Sequence, residues 1–243
     1  MLNTIKMLTK KMFRGVGLEV HGYNPHSSAE AQLVASLLKF EIDLVIDVGA
    51  NYGQFATGIR RGGYLGKIVS FEPLTSAFAK LTKAQAGDQL WDIYPRCAIG
   101  DQDGAVTINI AGNSASSSVL PMLESLIAAA PHTAYIGKEA AKLMRLDSIT
   151  PGLLSTFNKP FLKIDTQGFE WQVLDGAINT LDQVQGVLLE MSLTPLYEGQ
   201  YLWGDMLERM EKAGFTLWAL QPVFTDSKNG RTYQVDGIFY RTS

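Results

Sequence analysis

The feature that most constrains the fold of this chain is an apolar strand pattern that leads directly into a glycine turn. Residues 44–48 form a nearly continuous apolar run, as strands buried on both faces of a parallel sheet do. Gly49 and Gly53 follow, and helical spacing resumes over 54–61. Glycine lets the backbone turn sharply and approach neighbours that a Cβ would exclude. This order of elements predicts the crevice in which open α/β sheets hold ligands.

Strand and helix patterns alternate along the rest of the chain. Apolar runs typical of strands stand at 67–72, 93–99, 160–165, 187–191, 216–223 and 235–240. A capping-box spacing at 27–30 opens the helix that precedes the first strand. Asn229-Gly230 favours a hairpin turn between the last two strands. We therefore predict a doubly wound α/β fold, Rossmann-like, with a mostly parallel seven-stranded sheet and a C-terminal antiparallel hairpin.

Two segments stand apart from this alternation. We expect residues 1–40 to form an N-terminal helical segment packed on the main domain, which spans 41–243. Residues 111–150 show little periodicity beyond a short helical pattern near 122–130, and four serines fall within 114–118. Long segments of this kind are often functional. We expect this one to cover a bound substrate.

The N-terminal segment is basic as well as apolar. Lys6, Lys10, Lys11 and Arg14 interrupt its apolar residues, which excludes the unbroken core of a signal peptide. No run in the chain has the length of a membrane span. The pattern leaves two interpretations: a helix that makes weak peripheral contact with a membrane, or a helix packed at the domain edge.

Composition narrows the class of protein. A formal net charge of −3 provides no basic field for a nucleic-acid backbone, so we expect no nucleic-acid partner. The single cysteine, Cys97, excludes an internal disulfide and a thiolate zinc site, which fits the cytoplasm. We interpret Cys97 as a buried, inert thiol rather than a nucleophile.

The glycine turn points to a cationic ligand. A dinucleotide site would show G-x-G-x-x-G, whereas this chain has G-x-x-x-G over 49–53. Asp47, before the turn, suits a cation better than a phosphate, and S-adenosylmethionine carries an amino group and a sulfonium. The missing dinucleotide pattern and the terminal hairpin both argue against a nicotinamide-dependent oxidoreductase. The alternative is a tight turn that binds no ligand.

Glu72 provides a second anchor for a nucleoside. It ends the second strand about 20 residues beyond the turn, where an acidic side chain can accept both ribose hydroxyl protons. The alternative is a solvated carboxylate. We favour the binding role because Glu72 occurs together with the glycine turn.

Five stretches in sequence order resemble the FkbM family of methyltransferases. They are Ile46-Asp47-Val48-Gly49-Ala50-Asn51-Tyr52-Gly53-Gln54-Phe55, Ser70-Phe71-Glu72-Pro73, 98–104, 145–149 and the block from Leu162 to Gly176. One departure is Gln167, where the family usually has Glu; this weakens any metal or base role for that position.

The resemblance implies S-adenosylmethionine as cofactor and O-methylation of a sugar, glycan or natural product. It implies cofactor contacts from Asp47, Gly49, Ala50, Asn51, Gly53, Phe55, Glu72, Pro73 and Asp165, with Cys97 and Ala98 bordering the adenine. The partner expected is therefore a small-molecule or glycan acceptor.

Methylation of a hydroxyl calls for a base, and three side chains are candidates. In order of preference they are Asp165, at the end of the strand expected beside the first, Glu190 and His132. Each has an alternative: Asp165 caps the next helix or holds Lys163, Glu190 is structural, and His132 is a surface residue. Asp165 and Glu190 together would also suit Mg²⁺, although we predict no metal.

A second hypothesis comes from a different class of function. Because Gln167 replaces an acid and the base is not settled, the chain could bind the cofactor as a non-catalytic scaffold in a biosynthetic complex.

Overall fold

The computed structural model describes residues 2–242, apart from the side chains of residues 2–6 and 8. The strands are β1 (Leu44–Val48), β2 (Lys67–Phe71), β3 (Trp91–Ile93), β4 (Ala98–Ile99), β5 (Gly104–Ala111), β6 (Tyr135–Met144), β7 (Pro160–Ile164), β8 (Gly186–Ser192), β9 (Thr216–Thr225) and β10 (Thr232–Tyr240). The α-helices are α1 (Leu2–Gly15), α2 (Ala29–Lys39), α3 (Gln54–Arg61), α4 (Thr75–Gln85), α5 (Glu124–Ala129), α6 (Leu146–Leu154), α7 (Glu170–Asp175), α8 (Ile178–Leu181) and α9 (Trp203–Lys212).

The main sheet has the predicted form. Its seven strands run in the order β3-β2-β1-β7-β8-β10-β9. The first five are parallel, and β10 is antiparallel to both of its neighbours. The predicted class of fold, the terminal hairpin and the adjacency of β1 and β7 are all confirmed. Successive parallel strands are added on one side of β1 as far as β3, and later strands are added on its other side, beginning with β7. A doubly wound sheet opens a crevice where the strand order reverses in this way.

Alternate residues of β1 pack on opposite faces of this sheet. Leu44, Ile46 and Val48 belong to one buried apolar cluster, and Val45 belongs to another that contains residues of α2 and α3. All five positions of β1 are buried, which explains the continuous apolar pattern. Because side chains alternate along a strand, Asp47 faces the same side as Val45.

The predicted third strand at 93–99 is wrong as a single strand. β3 belongs to the main sheet, whereas β4 belongs to a separate three-stranded sheet in the order β4-β6-β5. Pro95 lies between them, and proline has no N–H to donate to a ladder, so it interrupts the pairing.

The segment 111–150 is more regular than its sequence indicates. Residues 135–144 form β6, which pairs antiparallel with β5. Only two of the ten positions of β6 are buried, so the strand lacks the sustained apolar alternation that would reveal it. The capping position before α2 also differs: the cap is Ser28 and not Ser27, with Ser28 Oγ accepting from Ala31 N at 3.3 Å.

The N-terminal helix α1 carries the predicted basic residues on its surface. Lys10, Lys11 and Arg14 are exposed, and Arg14 pairs with Glu19 at 2.8 Å. The side chain of Lys6 lies outside the described part of the molecule. Among the described residues, no helix combines the length and the apolar character needed to cross a bilayer.

Candidate functional site

A cleft opens at the carboxyl ends of β1, β2 and β7, where the sheet order reverses. It encloses about 680 Å³, counting its mouth. Its lining residues are Val48, Gly49, Asn51, Gln54, Phe71, Glu72, Pro73, Leu74, Cys97, Ala98, Ile99, Ile108, Ser114, Ala115, Ser117, Ser118, Val119, Asp165, Thr166, Gln167 and Phe169. Seven of the predicted site residues are among them: Gly49, Asn51, Glu72, Pro73, Cys97, Ala98 and Asp165.

The two glycines of the turn are required by the protein's own backbone and core. Gly49 has a φ of +76°, and a Cβ there would stand 1.8 Å from the carbonyl oxygen of Asp165. Gly53 has a φ of +89°, and its Cβ would meet the ring of Trp91 at 2.8 Å. Gly49 lines the cleft and Gly53 does not. The turn is therefore held in shape before any ligand binds.

Glu72 is the carboxylate at the centre of the cleft. It is buried, and its two oxygens accept from backbone N–H groups: Oε2 from Asn51 at 2.8 Å and Oε1 from Leu74 at 2.8 Å. Burial raises the pKa of Glu72 to about 7, although the two N–H bonds oppose this shift. Glu72 thus joins the glycine turn to the end of β2 with its side chain facing the cleft.

Two polar groups in the lining have no partner within the described part of the protein. They are the buried Asn51 Nδ2 and Gln54 Oε1. Asn51 holds a left-handed φ of 49° and accepts from Ser114 Oγ at 3.1 Å through Oδ1, which leaves its amide nitrogen unpaired. Buried polar atoms without partners are costly and rare, so this donor and this acceptor suit a polar ligand. Together with Glu72 they fit an amino acid joined to a nucleoside.

Asp47 lies behind the cleft and outside its lining. Its carboxylate is fully buried, with Oδ1 3.1 Å from Lys163 Nζ and Oδ2 accepting from Ser70 Oγ at 3.0 Å. Burial lowers the pKa of Lys163, but Asp47 and then Asp165 outweigh this and leave it above its usual value. Lys163 Nζ also donates to the Gly49 carbonyl at 2.9 Å. In the described structure Asp47 therefore acts on the turn through Lys163.

The other predicted cofactor residues divide between the lining and the layer behind it. Ala50 and Phe55 do not line the cleft. Ala50 is a buried residue of the turn, and the centre of the Phe55 ring lies 5.5 Å from Lys163 Nζ. Cys97 does line it, and burial raises the pKa of its thiol to about 11. A neutral thiol is a poor nucleophile, as the inert interpretation expects.

Asp165 stands where β7 ends, at the edge of the cleft. Its Oδ2 is 3.6 Å from Lys163 Nζ, and Oδ1 accepts from Gln167 Nε2 at 2.9 Å. It does not accept the free N–H groups after β7, because Glu170 accepts from Thr166 N and Gly168 N at 2.8 and 3.0 Å. The contact with Lys163 is thus present, Glu170 binds the loop N–H groups instead, and α7 begins at an N-cap, Phe169, that makes no side-chain capping bond.

Gln167 links the two predicted carboxyl bases. Its Nε2 also donates to Glu190 Oε2 at 2.6 Å, and its Oε1 accepts from Tyr197 Oη at 2.9 Å. A backbone φ of 54° turns the chain at Gln167. Because an amide NH₂ stands between Asp165 and Glu190, that position suits hydrogen bonding and not a cation. Among the described residues, no cluster of three or more His, Cys, Asp or Glu side chains could hold a metal ion.

Glu190 and His132 come together in a second cavity of about 560 Å³, counting its mouth. Glu190 is buried at the end of β8 and also accepts from Gln234 Nε2 at 2.7 Å. Burial, followed by the nearby charges of Asp165 and Glu170, raises its pKa well above the usual value. His132 is exposed in a 3₁₀ turn at the cavity wall. The second cavity, as we call it below, adjoins the cleft, because Ala115 and Gln167 line both.

Sequence reasoning missed several residues that the structure places in these walls. Gln54 opens α3, and Ser114, Ser117 and Ser118 line the cleft from the irregular segment. The serine cluster was visible, but its distance from the turn was not. Ser118 Oγ donates to the Gln167 carbonyl at 2.6 Å, a contact across 49 positions that no local pattern reveals.

The fold and the cleft together define a class I methyltransferase. The chain belongs to the FkbM methyltransferase family, because residues 47–217, more than half of its length, match the model of the methyltransferase FkbM domain. Its cofactor is S-adenosylmethionine. A comparison with curated protein sequences gave no match.

Solved structures resemble this one in general outline. A proposed RNA methyltransferase from Pyrococcus horikoshii is 11% identical, with 88% of this chain and 84% of that chain covered and a TM-score of 0.44. Magnesium protoporphyrin IX methyltransferase from Synechocystis PCC 6803 is 11% identical over 98% and 100% of the two chains, with a TM-score of 0.48. An uncharacterized protein from Listeria monocytogenes serotype 4b is 10% identical over 89% and 68%, with a TM-score of 0.49. The family assignment rests on the family model.

Proposed function

We propose that this methyltransferase acts on a hydroxyl oxygen of a sugar, glycan or natural-product acceptor. The observation that carries the proposal is the pair of carboxyl groups, Asp165 and Glu190, joined by Gln167 at the border of two cavities. A hydroxyl must lose its proton when it is methylated, and a positioned carboxylate provides a place for that proton. The resemblance to the FkbM family points to the same kind of acceptor.

The residues of the cleft bind and orient the cofactor. Glu72 would accept the ribose hydroxyl protons of the cofactor, while Asn51 Nδ2 and Gln54 Oε1 would provide a donor and an acceptor for its other polar groups. When bound, S-adenosylmethionine supplies an electrophilic methyl group on a good leaving group. The protein's task is then to align the acceptor oxygen with that methyl and to exclude water.

Asp165 is the proton acceptor in this proposal. Asp165 lines the cofactor cleft and lies 3.6 Å from the Lys163 ammonium, whereas burial raises the pKa of Glu190 and favours its protonated form. Gln167 donates to both carboxyl groups and fixes their orientation. We therefore assign Asp165 as the base, Glu190 as its hydrogen-bonded neighbour and His132 as a wall residue.

The remaining expectations form part of the same proposal. The segment 111–150 covers the acceptor, residues 1–40 form a helical segment packed on the main domain, the protein is cytoplasmic, and nucleic acid is not its substrate. Weak peripheral membrane contact through α1 is compatible with the exposed Lys10, Lys11 and Arg14.

Two measurements test the proposal. Calorimetry with S-adenosylmethionine should show binding to the folded protein, and the absence of binding would end the proposal. Formation of S-adenosylhomocysteine with a panel of hydroxyl acceptors should then discard the scaffold hypothesis. If transfer occurs only to nitrogen or carbon acceptors, the O-methylation proposal is wrong.

Asp165→Asn tests the assigned base. It keeps the shape of the side chain and removes its charge, so kcat should fall about 10²–10⁴-fold. S-adenosylmethionine affinity, measured by calorimetry, should change much less. An Asp165→Asn enzyme with wild-type kcat would contradict the assignment.

A further inference from the structure

We propose that the second cavity is the acceptor site, and that it takes an uncharged hydroxyl compound with an apolar face. A sugar joined to an aromatic or aliphatic group has this chemistry. The inference rests on the proposed function and extends it, because it names the location and class of the acceptor.

One wall of the second cavity is polar and built from buried side chains. Glu190 and Gln234 are each 5% exposed, and Gln234 Nε2 donates to Glu190 Oε2 at 2.7 Å. Gln167 Nε2 donates to the same oxygen at 2.6 Å. Three polar side chains from β8, β10 and the loop after β7 thus converge at one point. Such a wall can exchange hydrogen bonds with several hydroxyl groups.

The second cavity also has apolar lining residues, one of which, Phe224, pairs with Gln234 across the neighbouring strands. Val223 and Phe224 contribute to it from β9, and Leu126 and Ala130 contribute from α5 and its end. The Phe224 ring stacks on Tyr233 with centres 5.2 Å apart, which fixes the ring beside the cavity. A lining that combines buried polar groups with apolar side chains suits a ligand that carries both hydroxyl groups and a hydrocarbon surface.

The charge of the lining indicates a neutral ligand. No Lys or Arg is found among the described residues that line the second cavity, and Glu190 lies in its wall. Phosphate and carboxylate groups are usually held by Arg, Lys or clustered N–H groups. An anionic acceptor would find no cationic Lys or Arg side chain among these residues and would lie against the Glu190 carboxyl group.

The position of the cavity connects it to methyl transfer. Gln167 and Ala115 line both spaces, so an acceptor in the second cavity abuts the cofactor cleft at the Gln167 amide. Asp165 accepts from that same amide at 2.9 Å. The assigned base therefore stands at the junction of the two sites.

Val223→Trp tests the location, with Leu220→Trp as its matched control. Val223 is 49% exposed at the cavity, and Leu220 is 46% exposed on the same strand outside both linings. Binding of phenyl β-D-glucopyranoside to the full chain saturated with S-adenosylhomocysteine is measured by saturation-transfer NMR. Val223→Trp should weaken that binding by about tenfold or more, because the indole fills the site. Leu220→Trp should leave it within about twofold of wild type, as distant surface changes do.

Phenyl β-D-glucuronide tests whether the acceptor must be uncharged, because it differs from the glucoside only in carrying a carboxylate in place of the hydroxymethyl group. It should bind at least about tenfold more weakly than the glucoside. His132→Ala, at an exposed position, provides a second variant should Val223→Trp not fold, and should weaken glucoside binding about fivefold.

The proposal is overturned if the wild-type protein does not bind the glucoside, if the glucuronide binds equally well, or if the cavity variants bind the glucoside normally. A different result contradicts the proposed function: the wild-type protein then does not bind S-adenosylmethionine, or does not transfer methyl groups to hydroxyl acceptors.

Discussion

The cofactor cleft and the second cavity are built in different ways. The glycine turn and the polar groups proposed to hold the cofactor come from residues 49–72 and are held by backbone geometry and core packing, and further lining residues lie at 97–99 and 108 and within 114–119 and 165–169. The second cavity gathers side chains from six separate stretches between residues 113 and 234. A site made by the backbone is tied to the fold, whereas a site made by distant side chains can change without changing the fold. The comparison suggests why one cofactor site can serve different acceptors.

The largest effect should come from the buried ion pair behind the turn. Asp47→Asn leaves the buried Lys163 ammonium its bond to the Gly49 carbonyl and a single described carboxylate within 4 Å, Asp165 at 3.6 Å. Removal of one partner of a buried pair costs about 3–5 kcal/mol, and with Asp165 remaining we expect about 3 kcal/mol in urea denaturation. Adding Lys163→Met should restore part of this loss.

Asp92→Asn is the control for this change. Asp92 pairs with Lys67 at 2.7 Å in the same sheet, but its side chain is 61% exposed. Its loss should cost less than about 1 kcal/mol. Equal costs for Asp47→Asn and Asp92→Asn would show that Asp47 does not support the turn.

The turn itself should tolerate no side chain. Gly49→Ala places a Cβ 1.8 Å from the Asp165 carbonyl at a φ of +76°, so we expect about 2–3 kcal/mol of destabilisation. Gly152→Ala is the control, because a Cβ there meets nothing within 4 Å and Gly152 lies in α6. It should be neutral or stabilising by up to about 1 kcal/mol. If the Gly49→Ala protein were as stable as the Gly152→Ala protein, the conclusion that the backbone fixes the shape of the turn would be wrong.

Glu72→Gln should weaken cofactor binding about tenfold without comparable loss of stability. The pKa of Glu72 is about 7 in the ligand-free protein, and the ionised form is the better acceptor for hydroxyl protons. Wild-type affinity for S-adenosylmethionine should therefore rise from pH 6 to pH 8, and that of Glu72→Gln should rise less. Calorimetry at both pH values, with thermal unfolding as a check on the fold, decides the point. An identical pH dependence in the two proteins would contradict the role of Glu72.

The smallest effect concerns the pH dependence of stability on the acceptor side. The pKa of Glu190 is raised by folding, so between its unfolded value of 4.5 and its folded value the folded state binds more protons than the unfolded state. The contribution of Glu190 to the free energy of unfolding is therefore most favourable at low pH, and it falls as the pH rises through this window. Glu190→Gln should reduce the loss of unfolding free energy between pH 5 and pH 8 by about 1 kcal/mol.

Glu72, Glu170 and Asp236 should preserve part of this dependence in Glu190→Gln, because burial raises each pKa to about 7. Urea denaturation at both pH values measures the difference. A steeper loss in Glu190→Gln than in wild type would mean that the direction assigned to Glu190 is wrong.

Prediction from the sequence succeeded where the signal was local. Helix α3 begins and ends at the predicted residues, 54–61, because its apolar spacing and the flanking glycines lie within ten positions. It failed for β6, whose partner β5 lies about 30 residues away and which has only two buried positions among its ten. It also missed the break at Pro95, although the proline itself was visible.

The candidate site shows the same division. Glu72 was selected from its spacing to the turn, and it does face the cleft. Asp47 was selected for its charge, but side-chain alternation along β1 places its carboxylate on the face of the strand that does not line the cleft, where it contacts Lys163. Gln167 stood out as a departure from the family pattern, and its contacts with Asp165, Glu190 and Tyr197 could not be read from the chain.

The sequence by itself determined the layered sheet, the sharp turn after β1 and the family, because apolar periodicity and glycine geometry act over a few neighbouring residues. Only the tertiary structure decided which charged groups face a ligand and which face one another. The burial of Lys163 between Asp47 and Asp165, and the meeting of Gln167, Glu190 and Gln234, depend on strand order and register across nearly 200 residues. Local preference carries no information about such contacts, because they form only when the whole sheet is assembled.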